Sequence, residues 1–190
     1  MRDSGWRKYY WLDIEKLSQS FLNQNQLLMD VKYFTSRVSS SPSDPQQHRR
    51  QNIYLEALST LSQVHLFYGH YLDKSVQCRS CGVTWNKQEE KMTDVNIAME
   101  LLTDAFDDQF DTAFLFTADS DLAGPLCKIR QRFPTKRIVV LFPPNRFSAK
   151  LKRESNNFFH IHQHHISNSQ LPDEVQKKSG FILRRPREWN

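Results

Sequence analysis

The chain has 190 residues, 38% hydrophobic and 25% charged, with five glycines and eight prolines, which suits one folded domain and excludes wholesale disorder or collagen-like sequence. No stretch approaches the ~18 consecutive apolar residues of a membrane span. Met1–Tyr10 lacks the apolar core of a signal peptide, and three cysteines are too few for a secreted disulfide scaffold, so a reduced, cytoplasmic, soluble protein is expected. The formal net charge of +5 is unevenly spread: Met1–Cys127 carries 12 Lys and Arg against 17 Asp and Glu, whereas Lys128–Asn190 carries 14 against 4.

Apolar periodicity predicts alternating helices and strands. Leu12–Leu22 has Ile14, Leu17, Phe21 and Leu22 at helical spacing, and Val31–Val38 alternates like a strand. Pro45 suits a first helical turn, and Gln46–Leu61 carries Ile53, Ala57, Leu58 and Leu61 on one face. Val64–Tyr71 reads as a strand. The polar stretch Asp73–Lys87, with its two close cysteines, reads as an inserted hairpin or knuckle over 72–88. Thr93–Phe106 is the clearest helix, with Thr93 as N-cap and Val95, Ala98, Leu102 and Ala105 on the helical period. Thr112–Thr117 and Arg137–Phe142 are short apolar runs of the kind found in strands buried on both faces. Helices are expected over Asp121–Arg132 and Arg146–Glu154, a last strand over Asn157–Ile166, and a tail from Gln170. Such alternation implies α/β architecture with a mostly parallel sheet covered on both faces, in one domain over 1–169 followed by the 170–190 tail.

Two motifs could carry chemistry. In Phe114–Leu122 (FLFTADSDL) a buried strand is followed by Asp119 and Asp121 in the turn before a helix. Sites in open α/β sheets form beyond the carboxyl ends of strands, where carboxylates can hold a hard cation. One helix cap needs one acid, which leaves the second in surplus. In Lys91–Ile97 (KMTDVNI), Asp94 falls in the first turn of the clearest helix, where complementing the helix dipole is an equally simple role. If the two strand-helix units are neighbours, Asp94, Asp119 and Asp121 converge on one crevice. Acids clustered from Glu89 to Asp121 ahead of a basic C-terminal third suggest metal-assisted chemistry on a polyanion, although composition alone favours a solvated acidic helix followed by a basic tail.

The stretch EEKMTDVNIAMELLTDAFDDQFDTAFLFTADSDL resembles the core of the NYN domain family of PIN-like nucleases, also called LabA-like. The matching residues are Lys91, Asp94, Asp111-Thr112 and Asp119-Ser120-Asp121. WLDIEKL, VKYFTSRV, Tyr68-Gly69-His70 and the closing LPDEVQKKSGFILRRPREW resemble one bacterial subgroup. The resemblance implies a Rossmann-like PIN fold, a three-layer sandwich. It also implies metal-dependent hydrolysis of RNA phosphodiester bonds, with Mg²⁺ or Mn²⁺ held by Asp94, Asp119 and Asp121 and with Thr117 and Ser120 as polar supports. The rival is a catalytically impaired RNA-binding or regulatory module on the same fold. The family opens with a strand ending in an Asp-Gly motif whose Asp is a main metal ligand, and MRDSGWRKYYWLDI resembles the segment immediately after that strand. The resemblance therefore implies that a central strand between those of Val31 and Thr112, with one carboxylate, lies outside this sequence, and that the chain as given is poorly soluble or inactive.

Other features leave alternatives open. Cys78 and Cys81 form a CxxC followed by Gly82, half of a Zn²⁺ knuckle or two reduced thiols, with Cys127, His65 and His70 the remaining candidate ligands. On a strand, His160, His162 and His164 share a face, read as a polar outer face ahead of a transition-metal site. Trp6, Tyr9, Tyr10 and Trp11 either stack on bases or pack a helix onto the sheet. Arg146, Lys150, Lys152 and Arg153 either meet RNA phosphates or form a solvated helix face. A homodimer is a further open alternative.

Overall fold

The computed structural model describes residues 4–38, 44–77 and 80–189. After a 3-10 helix, Ser4–Tyr9, the chain forms α1 (Ile14–Gln19), β1 (Val31–Thr35), α2 (Gln47–Leu58) and β2 (Val64–Tyr68). The long hairpin β3 (His70–Gln77) and β4 (Thr84–Lys91) leads into α3 (Thr93–Phe106) and β5 (Thr112–Phe116). A 3-10 turn, Ser120–Leu122, opens α4 (Ala123–Arg132), followed by β6 (Arg137–Phe142), α5 (Ala149–Glu154), β7 (Asn157–His160) and α6 (Gln163–Asn168). The chain closes with β8 (Glu174–Gln176) and β9 (Ile182–Arg184). This is a mixed α/β fold with parallel sheets and covering helices, consistent with a PIN-like sandwich. Among the described residues no helix is long and apolar enough to cross a membrane.

Two parallel sheets form. β1 pairs with β2 from Val31↔Val64 to Thr35↔Tyr68, with α2 as the crossover. β5, β6 and β7 form the second sheet, in that order, with α4 and α5 as crossovers. β6 is its central strand, and Ile138–Phe142 are buried without a break, as a strand covered on both faces requires.

Among the described residues the two sheets do not pair with each other, and packing links them. On one side α3 bridges them. Lys32 of β1 donates to Glu100 at 2.8 Å and Asp104 at 2.6 Å, while Ile97, Ala98 and Leu101 pack into the cluster that holds Leu115 of β5. Burial draws the Lys32 ammonium down, but its hydrogen bonds to Asp104 and Glu100 outweigh that and leave its pKa raised. On the other side Leu12 packs into both neighbouring clusters, α1 packs on β1, and Phe21 meets Phe116 of β5 at 6.2 Å. Among the described residues no ladder joins β1 to β5. Both strands are half-buried along their length, as edge strands are, and Phe116 is 37% exposed. The expectation that Thr112–Thr117 is buried on both faces is therefore corrected, because β5 is half-buried and ends in an exposed Phe116.

Four further expectations change. Helix α3 has the expected span, but its N-cap is Met92, at φ 73° and without a side-chain cap, in place of Thr93. Its core face is Ile97, Ala98, Leu101 and Ala105, whereas Val95 and Leu102 are 55% and 41% exposed. The helix carries two apolar stripes, so periodicity alone could not choose between them. The expected strand over Asn157–Ile166 ends at His160. A reciprocal pair of hydrogen bonds between His162 and His165 then caps α6, which puts His164 and His165 on a helix and dissolves the shared strand face. The tail from Gln170 is ordered. Leu171, Val175 and Leu183 are buried in the same cluster as Trp11, Leu55 and Leu58, because β8–β9 supplies an apolar edge that covers α2.

Candidate functional site

Parallel strands end together. In register Phe116, the last residue of β5, is level with Leu141, and Phe142, the last of β6, is level with His160, the last of β7. The segment after β5 folds into a tight acidic turn. The Thr117 hydroxyl accepts the Asp119 N–H at 3.0 Å, and Asp119 Oδ1 accepts the Asp121 N–H at 3.0 Å. Leu122, 2% exposed, anchors the turn in the core. Asp119 is thus the N-cap of the 3-10 turn, and Asp121 is the acid left over. Both carboxylates are exposed at the strand ends, and so is Ser120.

Asp94 lies in the first turn of α3, exposed. Helix α3 precedes β5 and runs back to it, and it packs against the 3-10 turn Ser120–Leu122. Its first turn therefore belongs to the same end of the layer as Asp119 and Asp121. Three further acids of the stretch have structural work: Glu100 and Asp104 pair with Lys32, and Asp108 pairs with Lys136, whose ammonium also reaches the Phe110 carbonyl. The sequence showed the acids without showing this division, since the partner lysines are far away in the chain.

Carboxylate oxygens are the donors that Mg²⁺ and Mn²⁺ prefer, and Mg²⁺ commonly takes one or two protein carboxylates beside water and substrate phosphate. Asp119, with one oxygen committed to its cap, and Asp121 meet that demand. Among the described residues no three His, Cys, Asp or Glu side chains are gathered as a metal-holding group. Cys78 lies outside the described residues. Cys81 is an exposed free thiol at the tip of the β3–β4 hairpin, and Cys127 sits on α4, where Gln131 reaches its sulfur at 3.4 Å. His65 faces Asp30 at 3.4 Å.

The basic residues separate. Arg146 and Lys150 are exposed at or just after the end of β6. Lys152 lies over the Phe158 ring at 4.7 Å. Arg153 pairs with Glu154 at 2.8 Å, and its carbonyl accepts from Arg130 in the last turn of α4, which places it toward the other end of the sheet. Of the N-terminal aromatics, Trp11 is fully buried and donates to the Pro172 carbonyl at 2.7 Å, so it packs as core. Two shallow hollows, of about 330 and 350 Å³, are lined by Leu102, Phe106 and Phe133 and by Cys127, Arg130 and Glu154, not by the three aspartates.

The 6-hydroxy-3-succinoylpyridine 3-monooxygenase HspA of Pseudomonas putida is 27% identical over 219 residues, covering 95% of this chain and 69% of the relative. The crystal structure of VPA0982, a protein of unknown function from Vibrio parahaemolyticus, superposes with a TM-score of 0.51 at 20% identity, covering 84% of this chain and 85% of the other. The NYN domain model matches residues 8–162, a span that runs from the first 3-10 helix past the acidic turn to the cap of α6; the chain belongs to the NYN domain family.

Proposed function

We propose that this chain is a metal-dependent ribonuclease that hydrolyses RNA phosphodiester bonds. The observation that carries the reading is the Thr117–Asp119–Asp121 turn. It presents two carboxylates beyond a parallel strand, beside the helix whose first turn holds Asp94, in a chain of the NYN family. Asp119 and Asp121 would hold Mg²⁺ or Mn²⁺, with Asp94 joining from the first turn of α3, although the three are not gathered as one group in this structure. Such a cation supplies Lewis acidity at the phosphoryl oxygen and a more acidic water. The chain's own contribution is to fix the carboxylates: Thr117 holds the Asp119 backbone, and Asp119 holds the turn that aims Asp121.

The test is cleavage of single-stranded RNA by the purified chain with Mg²⁺, Mn²⁺ or EDTA. Cleavage that depends on the cation and is lost in Asp121→Asn supports the reading. RNA binding with no cleavage under any cation supports the rival, a regulatory RNA-binding module. The name of the Pseudomonas relative supplies a second reading, oxidation of a pyridine-type ring. Dioxygen uptake dependent on 6-hydroxy-3-succinoylpyridine and an electron donor, without RNA cleavage, would favour it.

A further inference from the structure

The same edge of the second sheet carries an aromatic surface that the aspartates do not explain. Phe147 is 53% exposed. It lies in the loop between β6 and α5, and that loop is held at both ends. The Arg146 N–H donates to the Pro143 carbonyl at 3.1 Å, Asn145 adopts a left-handed φ of 59°, and the Ser148 side chain caps α5. Behind Phe147 stands Phe142, fully buried, with ring centroids 5.0 Å apart. Beside it the exposed His160 ring stacks at 6.0 Å and 27°. Phe147 is therefore a ring fixed by its neighbours with one side open to solvent. Arg146 precedes it directly, and Lys150 comes after it in the first turn of α5, both exposed.

We propose that Phe147, backed by Phe142 and flanked by His160, is a stacking platform for a base of single-stranded RNA, and that Arg146 and Lys150 hold the adjoining phosphates. This rests on the ribonuclease reading and names its substrate form. A base in a duplex is stacked already and offers no face, whereas an unpaired base can lie on an aromatic ring without sequence preference. The position fits. Strands in a sheet are about 4.8 Å apart, so the end of β7 lies roughly 10 Å from the end of β5. A nucleotide seated on Phe147 thus brings a neighbouring phosphate toward Asp119 and Asp121. The charge fits as well, because the basic excess lies in Lys128–Asn190, which includes Arg146 and Lys150.

The experiment is fluorescence anisotropy of a labelled single-stranded RNA, in EDTA so that binding is read apart from cleavage. Stacking contributes about 1–3 kcal/mol per base, so Phe147→Ala should weaken binding about tenfold with an unchanged salt slope. Phe147→Leu, which keeps the apolar contact with Phe142, should weaken it as much, and Phe147→Trp should retain it. Replacing Arg146 and Lys150 with Ala should flatten the salt slope. An RNA of abasic sites should bind weakly and respond little to Phe147→Ala. Equal affinity of the intact and abasic RNAs, or unchanged binding by Phe147→Leu, overturns the platform. So does competition by a free pyridine or nucleoside at the RNA's own concentration, which reassigns the ring to a small heteroaromatic ligand. Loss of cleavage with the Phe147 effect intact would sink the ribonuclease reading and leave the platform standing; absence of any RNA binding sinks both.

Discussion

Asp119 has two separable tasks, and two substitutions pull them apart. Its Oδ1 accepts the Asp121 N–H at 3.0 Å and starts the turn, and its charge stands at the strand ends. Asp119→Ala loses both. Loss of an Asp cap costs about 0.5–2 kcal/mol, which in a chain of this size lowers Tm by about 2–6 °C. Asp119→Asn keeps an oxygen that can cap, since Asn and Asp rank together as caps, and should melt within about 1 °C of the parent on the same scale. Asp121→Asn should also leave Tm unchanged, because only its backbone enters the turn. All three should lose metal-dependent cleavage. The measurements are thermal melting by circular dichroism and RNA cleavage with Mn²⁺. Full cleavage by Asp119→Asn together with the Tm loss of Asp119→Ala would refute the reasoning, because Asp119 would then be a cap and nothing more.

β1 and β5 each leave one edge unpaired among the described residues, and a further strand should pair there. Fusing a five-residue apolar strand that ends in Asp, through a short linker, ahead of Met1 should raise Tm by about 10 °C, since burying each large side chain contributes ~1.5–3 kcal/mol; an unchanged melting curve argues that no such seat exists. Leu183→Ala, at a position 4% exposed, should destabilise by about 2–5 kcal/mol in urea titration, and a loss under about 0.5 kcal/mol would show that the closing hairpin is not core. Burial, then the neighbouring His164 and His162, lower the pKa of His165. The unfolded chain therefore binds this proton more readily, and stability should fall as pH drops below His165's ordinary value of 6.5 toward its depressed one. His165→Gln should flatten that part of the urea-midpoint profile.

The sequence was most informative where one physical signal acted alone. The apolar run Arg137–Phe142 reads as a buried strand and is one, because β6 has strands on both edges and helices on both faces. The acidic turn was legible as two acids at a strand-helix junction, one spare beyond the cap. Where two signals compete, the pattern misleads. Helix α3 has an apolar stripe on either side, and only the contacts to Leu115 and Ile138 choose Ile97, Ala98 and Leu101 over Val95 and Leu102. FFHIHQHHI has no Gly or Pro to mark the switch from β7 to α6, and the switch is made by imidazoles acting as caps, a role their residue type does not announce. Phe147 gives no signal in the sequence, because a single Phe in a loop looks like core until its exposure is known.

The buried clusters also differ in how much of the chain each one needs. The cluster under β5 and β6 draws its buried residues from Ala105 to Leu151, a stretch close together in sequence. The one under β1 and β2 joins Trp11 to Leu183, and Trp189 packs against Trp11 and Tyr54 from the 3-10 helix Arg187–Trp189. Local contacts close quickly, and distant ones wait on the loop entropy between them. During synthesis from the N-terminus, the half that carries the acidic turn can therefore assemble while the first sheet still lacks its cover, and that sheet is sealed only once Leu183 and Trp189 have left the ribosome.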